Sequence, residues 1–477
     1  MKPFFIYNTL SRSVEEFHPL HPPAVTLYAC GPTVYLPQHL GNLRAYLCWD
    51  FLRRALEFNG YAVSSVINVT DVGHMTSDED AGEDKIEKTA REQHKTPLEI
   101  ADRYLAMFHS DLAALHVEPP RVWCRATDHI PDMIALIERI IAAGMAYVTP
   151  SGVYFDVEKY RGANRAGRLS RQSLDEQHAG NRLEHSSDKH SPHDFALWVL
   201  AQPHHMMQWE SPWGRGYPGW HIECSAMSMK YLGETIDIHA GGMDHIPIHH
   251  ENEIAQSESA TGKPFVRYFL HNAFLTGKDG AKISKSAGKF PLLSDLTAAG
   301  IDPLAFRLFC FGAKYRSEIA LSDQALKAAQ SNLEYFREFA RSLPVDAAQS
   351  PSDADFAAEY HARFGAALNN DLNTPQAIAG ALELVAEAYR RADKRIWKTL
   401  CAFDSVLGLG LAETRAAAAS EVSAIAPEIQ ALIDERAAAR KSRDFKRADE
   451  LRAELESRGY EVKDNRDGSA VYQLRGQ

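Results

Sequence analysis

Cysteine is scarce, at six in 477 residues, and positions 30, 48, 124, 224, 310 and 401 are too scattered for a disulfide framework. Free thiols are expected, most of them small buried fillers. No run of about 18 apolar residues occurs anywhere in the chain. The opening Met1-Lys2-Pro3-Phe4-Phe5-Ile6-Tyr7-Asn8 offers neither a long apolar region nor a small-residue cleavage site, so a cytoplasmic protein with no membrane contact is expected. Excess positive charge is also missing: 52 Lys and Arg against 63 Asp and Glu give a net charge of −11. Bulk electrostatics therefore do not announce a nucleic-acid binder, and any such contact needs a local basic patch. At this length two to four domains are expected.

What the chain does have is a polar concentration between Asp237 and Glu253. Four histidines, four carboxylates and two glycines fall within seventeen positions that read as a loop running into a helix. Pro247 suits a first helical turn, which puts His249 and Glu253 four apart on one face, like two arms of a metal site. Zinc usually takes four ligands, and cysteine thiolates from elsewhere in the chain are the natural complement. The competing expectation is a solvated helix start whose Glu251 and Glu253 favour the helix dipole.

Upstream, Val25 to Cys30 is a strand stopped by Gly31-Pro32, leaving Cys30 at the carboxyl edge where α/β sheets bind ligands. A helical pattern over Leu43, Leu47, Phe51 and Ala55 and a strand from Ala62 to Val69 complete a βαβ unit. Residues 74 to 95 read as an acidic loop, and 97 to 145 as helical with breaks at Pro119-Pro120 and Pro131. Short strands and polar loops between about 146 and 215 read as an insertion. Gly219 to Met227 then opens a helix with Cys224 expected in its first turn, where the helix end favours thiolate. Arg267 to Phe274 is strand-like, and Lys282-Ile283-Ser284-Lys285-Ser286 suits phosphate oxygens.

Beyond about 320 the chain is Ala-rich and helical, with stripes such as Leu326, Ala329, Leu333 and Phe336 that belong to a bundle core. Thr374-Pro375 reads as a cap followed by proline. Polar linkers are expected around Pro344 to Pro351 and from about 412 to 427. Arg436, Arg440, Arg443 and Arg447 are spaced four, three and four, as on one helix face. They form either a salt-bridged solvated surface or a phosphate-contacting stripe.

Taken together, Tyr28-Ala29-Cys30-Gly31-Pro32, His39-Leu40-Gly41-Asn42, Asn68-Val69-Thr70-Asp71, Arg168 to Gln172, Gly219 to Met227, His249 to Gln256, Lys282 to Ser286 and Asp371 to Pro375 resemble the cysteinyl-tRNA synthetases. This is a class I aminoacyl-tRNA synthetase family, and the resemblance spans nearly the whole chain. It implies an α/β fold: a Rossmann-like parallel-sheet catalytic domain split by an insertion, then an α-helical bundle and a small C-terminal domain. The implied boundaries are 1–145 and 216–319 for the catalytic halves, 146–215 for the insertion, 320–411 for the tRNA-binding bundle and 412–477 for the anticodon-binding unit.

The same resemblance implies one zinc on Cys30, Cys224, His249 and Glu253, gripping the substrate thiol, and magnesium with ATP. It places His39 and Asn42 at the triphosphate, Lys282 and Lys285 at the leaving pyrophosphate, and Gly241, Gly242 and Asp244 at the nucleotide. Thr70, Trp220 and His221 would line the amino-acid pocket. The implied partners are L-cysteine, ATP and tRNA(Cys), with a monomeric chain. Asn42 stands where the signature has a second histidine, Ile283 where it has methionine, and Tyr472 where tryptophan is frequent. Two alternatives are a paralogue joining cysteinyl-adenylate to a small amine and a non-enzymatic zinc or RNA binder. Residues 320 to 477 speak against the former, Lys285 and His39 against the latter.

Overall fold

The computed structural model describes residues 2–72, 84–162, 167–172, 188–200, 205–277, 291–343, 353–423, 427–464 and 470–474. The loop carrying Lys282 and Lys285, most of the acidic stretch near 80 and the linker around 350 lie outside them. The chain divides into two compact units, Met1–Phe336 with Ser350–Gly410, and Arg337–Gln349 with Leu411–Gln477.

The first unit is built on a five-stranded parallel sheet. Its strands are β1 (Ala24–Ala29), β2 (Ala62–Val69), β3 (Val122–Arg125), β4 (Ile236–Gly242) and β5 (Val266–Asn272), in the order β5-β4-β1-β2-β3. That order reverses between β1 and β4, and a sheet of this kind binds ligands at the carboxyl ends beside such a reversal. Helix α1 (Leu40–Phe58) follows β1, and α2 (Ile130–Ala142), α3 (Trp220–Leu232) and α4 (His249–Thr261) supply further layers. α1 is buried on most of its circumference, with Leu43, Leu47, Phe51 and Leu52 enclosed alongside the charged Arg44, Asp50 and Arg54. Its buried Asp50 is matched by Arg54 at 2.8 Å and Arg307 at 2.5 Å.

Two strands depart from expectation. Asp237–Gly242 forms most of β4 rather than a loop, and β3 lies within a stretch expected to be helical. β3 is a four-residue strand at the sheet edge, too short to show a period, and the Ile-Asp-Ile-His alternation of β4 gives way to Ala-Gly-Gly within seven residues. Lys85–Gln93 is a helix rather than loop, because Asp84 caps it by accepting from the Ile86 and Glu87 amides. Between α2 and α3 stands a four-stranded antiparallel sheet of Ala146–Thr149, Gly152–Phe155, Phe195–Leu200 and Gly216–Pro218. Its Phe155 stacks on Phe195, and Phe195 meets His221 of α3 edge-on at 5.7 Å, so this sheet backs the helix that carries Cys224.

Helix Asp323–Arg341 buries the expected stripe of Leu326, Ala329, Leu333 and Phe336, and helices Phe356–Leu368, Thr374–Arg390 and Trp397–Leu407 follow it, with Phe364 stacked on Phe403 at 4.0 Å. Asn373, not Thr374, caps the second of these by accepting from the Gln376 amide, and Leu411–Ser423 is helical where a linker was expected. In the second unit, Pro427–Lys441 and Phe445–Ser457 pair with a hairpin of Tyr460–Asp464 and Ala470–Leu474. The four arginines do not share a helix. Arg443 sits at φ 63 between the two helices, Arg436 and Arg440 are paired to Asp464, and Arg447 is paired to Glu435 and Glu450. Ion pairing within the unit accounts for three of them.

Candidate metal centre

Three chain segments deliver the donors. Cys30 follows β1 directly, its N–H donating to Ala240 O of β4 at 3.1 Å. Gly31 comes next because the chain presses onto β2: a Cβ there would lie 1.5 Å from the Asn68 carbonyl oxygen. Cys224 is the fifth residue of α3, one turn deeper than expected, because the helix already begins at Trp220. His249 opens α4 and Glu253 stands one turn further on. One ligand atom from each of Cys30, Cys224, His249 and Glu253 lies within 4.8 Å of all the others.

A second set, Cys30, His239, His250 and Glu253, meets the same distance. The two share Cys30 and Glu253 and differ in the other pair, Cys224 with His249 in the first and His239 with His250 in the second. Glu253 Oε2 takes a hydrogen bond from His239 Nε2 at 2.8 Å, whereas Oε1 lies 3.0 Å from His249 Nε2 and has no hydrogen-bond partner. Two ligands on a tetrahedral zinc stand about 3.3 Å apart, so this orphaned oxygen and His249 Nε2 fit one ion. His249 Nδ1 is engaged by His221 Nδ1 at 2.8 Å, which fixes the ring and aims Nε2 inward. With the first set as ligands, His239 orients Glu253 and His221 orients His249, the outer support that metal-bound groups ordinarily have. His250 reaches Cys30 Sγ at 3.2 Å and continues through His271 to Thr9 Oγ1, each step 2.8 Å.

Charge in the cluster is set by contact against burial. Burial alone would raise Glu253, but His239 and His249 outweigh it and hold the carboxyl down to about 2. Burial likewise opposes protonation of His249, yet Glu253 and Cys224 bring it up to about 10. Cys224 falls to about 6, first because Cys30 donates to it, while burial and then Cys224 push Cys30 well up. Burial keeps His221, His250 and His271 well below the usual imidazole range, so they serve as neutral donors and acceptors.

The other expected site residues sort as follows. Trp220 stacks on the His249 ring at 4.5 Å, while His221 lies behind that ring. Thr70, at the end of β2, donates to Glu223 Oε2 at 3.1 Å. Gly241, next to last in β4, lies against the ligand cluster: a Cβ there would meet His250 at 2.6 Å and His245 at 2.9 Å. One at Gly242 would meet Asp244 Oδ1 at 2.3 Å. His39 caps α1, its Nδ1 accepting from the Asn42 N–H at 3.3 Å, so both residues stand at a helix N-terminus suited to anions. Sequence reasoning assigned no role to Glu223 or His271, whose signals are only spatial. It also passed over Phe445, 63% exposed at the start of a helix flanked by Arg443 and Lys446.

Comparison with known proteins agrees with this architecture. Residues 16–331 match the family model of the class I (C) tRNA synthetase catalytic domain, 363–412 the DALR domain, and 423–471 the cysteinyl-tRNA ligase anticodon-binding domain. Cysteine-tRNA ligase 1 of Burkholderia lata is 45% identical over 98% of this chain and 97% of its own length. The cysteine-tRNA ligase of Chlorobaculum tepidum is 44% identical over 98% and 99%. Among solved structures, a Mycobacterium tuberculosis methionyl-tRNA synthetase bound by methionyl-adenylate superposes with a TM-score of 0.58 at 14% identity, covering 82% of this chain and 93% of that one. That likeness speaks for the fold alone.

Proposed function

The chain belongs to the cysteinyl-tRNA synthetases of class I, and from that membership we propose that it joins L-cysteine to tRNA(Cys) at the expense of ATP, by way of a cysteinyl-adenylate. The activity is cysteine-tRNA ligation. The observation that carries the choice of amino acid is the convergence of Cys30, Cys224, His249 and Glu253 beside the reversal of the sheet. We assign these four as the zinc ligands. Bound there, zinc would supply a Lewis acid that accepts a substrate thiolate far more readily than a serine hydroxyl, a difference of the kind that makes editing unnecessary.

The remaining work falls to the protein's own groups. The cysteine carboxylate is already ionised, so the chain must align it with the α-phosphate and stabilise phosphate charge. His39 and Asn42 at the N-terminus of α1 would face the triphosphate, and Gly241, Gly242 and Asp244 the nucleoside. Lys282 and Lys285 would neutralise the departing pyrophosphate, with magnesium on the ATP. Trp220, stacked on His249, would line the amino-acid pocket together with His221 and Thr70. The catalytic halves would be 1–145 and 216–319, interrupted by the 146–215 insertion, with tRNA held by the bundle of 320–411 and the unit of 412–477. No helix among the described residues is long and apolar enough to cross a membrane.

Cysteine-dependent ATP–pyrophosphate exchange followed by charging of bulk tRNA with cysteine, and not serine, is the expected result. Exchange without charging would overturn the tRNA assignment in favour of a small amine acceptor, and neither reaction would refute the ligase.

A further inference from the structure

The two cysteines assigned to zinc come from segments far apart in the chain, and a second set of polar contacts joins those segments without passing through the metal cluster. Gly31 N–H donates to Asn68 Oδ1 at 2.7 Å. Asn68 Nδ2 donates to Thr70 Oγ1 at 3.1 Å, and Thr70 Oγ1 donates to Glu223 Oε2 at 3.1 Å. Gly31 adjoins Cys30 and Glu223 adjoins Cys224, so the line runs from one thiol's neighbour to the other's. Asn68, Thr70 and Glu223 are 1%, 2% and 0% exposed, and water does not compete for these bonds.

The Cys30 end is also secured by backbone. Thr70 N–H donates to Pro32 O at 3.0 Å and Val34 N–H to Thr70 O at 3.2 Å, with the close approach of Gly31 to Asn68 between them. Glu223 is what brings α3, and therefore Cys224, into the same frame. Its other oxygen, Oε1, is buried without a hydrogen-bond partner. Keeping an unpaired carboxyl oxygen in such a place costs stability, and a positional task accounts for its being there.

We propose that Asn68, Thr70 and Glu223 are positioning residues, a buried strut that holds the β1 end and α3 at the separation at which Cys30 and Cys224 bind one ion together. This rests on the assignment of those cysteines to zinc. A metal site preset in this way loses less freedom when the ion arrives, and its ligand angles follow the protein rather than the metal.

The test compares Thr70→Val, which keeps shape but removes the hydroxyl, with Thr70→Ser and Glu223→Gln, which retain a donor and an acceptor. Zinc affinity of the full chain is measured by competition with a chromophoric chelator, and visible absorption is recorded after cobalt substitution. Thr70→Val should bind zinc roughly 10- to 100-fold more weakly and shift its thiolate-to-cobalt bands, while the two conservative variants stay within about threefold of the parent. Parental affinity and unchanged cobalt bands in Thr70→Val would overturn the strut, as would an equal loss in Thr70→Ser. A parent chain that takes up no zinc would instead refute the metal assignment, and the strut with it.

Discussion

Replacing His221 by leucine isolates the outer support of a metal ligand. His221 is 1% exposed, and its Nδ1 lies 2.8 Å from Nδ1 of His249. Leucine fills similar space against Phe195 but leaves His249 Nδ1 without a partner in a dry site. An unsatisfied buried polar group costs about 1–3 kcal/mol. If that loss falls on the metal-bound form, zinc affinity drops by about 5- to 150-fold, at 1.4 kcal/mol per decade. Asparagine, which offers a polar atom close to the position of Nδ1, should recover most of the affinity. Chelator competition gives the metal affinity, and pyrophosphate exchange gives KM for cysteine and for ATP. The expected pattern is weaker zinc in His221→Leu, a higher cysteine KM corrected by added zinc, and an ATP KM near that of the parent. A variant that holds zinc as the parent does while only its cysteine KM rises would refute the reasoning and return His221 to the amino-acid pocket.

Arg436 is 2% exposed and reaches both oxygens of Asp464 at 2.9 Å as well as the Tyr472 hydroxyl. Arg436→Met should destabilise the second unit by about 1–3 kcal/mol, discounted from a fully buried pair because Asp464 is partly exposed and retains Arg440; amide hydrogen exchange over residues 428–464 reports it, and unchanged protection would contradict it. Phe445, exposed within the region matching the anticodon-binding model, suits stacking on an unpaired base. Phe445→Ala should weaken tRNA binding by about 1–3 kcal/mol with pyrophosphate exchange untouched, and undiminished binding would remove the role. Burial raises Asp84 to about 6, so its protonated form is the one the fold favours: the stabilisation is complete below the unfolded value of 3.8 and disappears as pH rises through about 6. Asp84→Asn keeps the acceptor for both capping bonds and should stabilise the chain by up to about 3 kcal/mol at pH 8 and hardly at all near pH 4. Equal thermal midpoints for parent and variant at pH 8 would show that the carboxyl is not strained by burial.

How much of this was legible in the sequence depends on the range of the interaction. The four-residue spacing of His249 and Glu253 is a property of any helix, and one face holds both wherever that helix lies. Apolar stripes such as Leu333 and Phe336 marked the bundle for the same reason. β3 was missed because four residues at a sheet edge are too few to show a period, and β4 because its Ile-Asp-Ile-His alternation gives way to Ala-Gly-Gly. The four arginines had helical spacing, but Arg443 adopts a left-handed backbone that ends the helical run, and spacing alone could not show that Asp464 waits across the hairpin.

By itself the sequence determined the family, the two arms on α4 and the helical character of the C-terminal half, since all of these are written in local order and periodicity. Only the tertiary structure decided that the Asp237 stretch is the strand beside β1, and that His221 supports His249 from behind. Only there does a buried line from Gly31 through Asn68 and Thr70 reach Glu223. The physical reason is that donors from β1, α3 and α4 become neighbours through sheet order and helix packing. A hydrogen bond of about 3 Å between distant segments leaves no periodic trace in the chain that makes it.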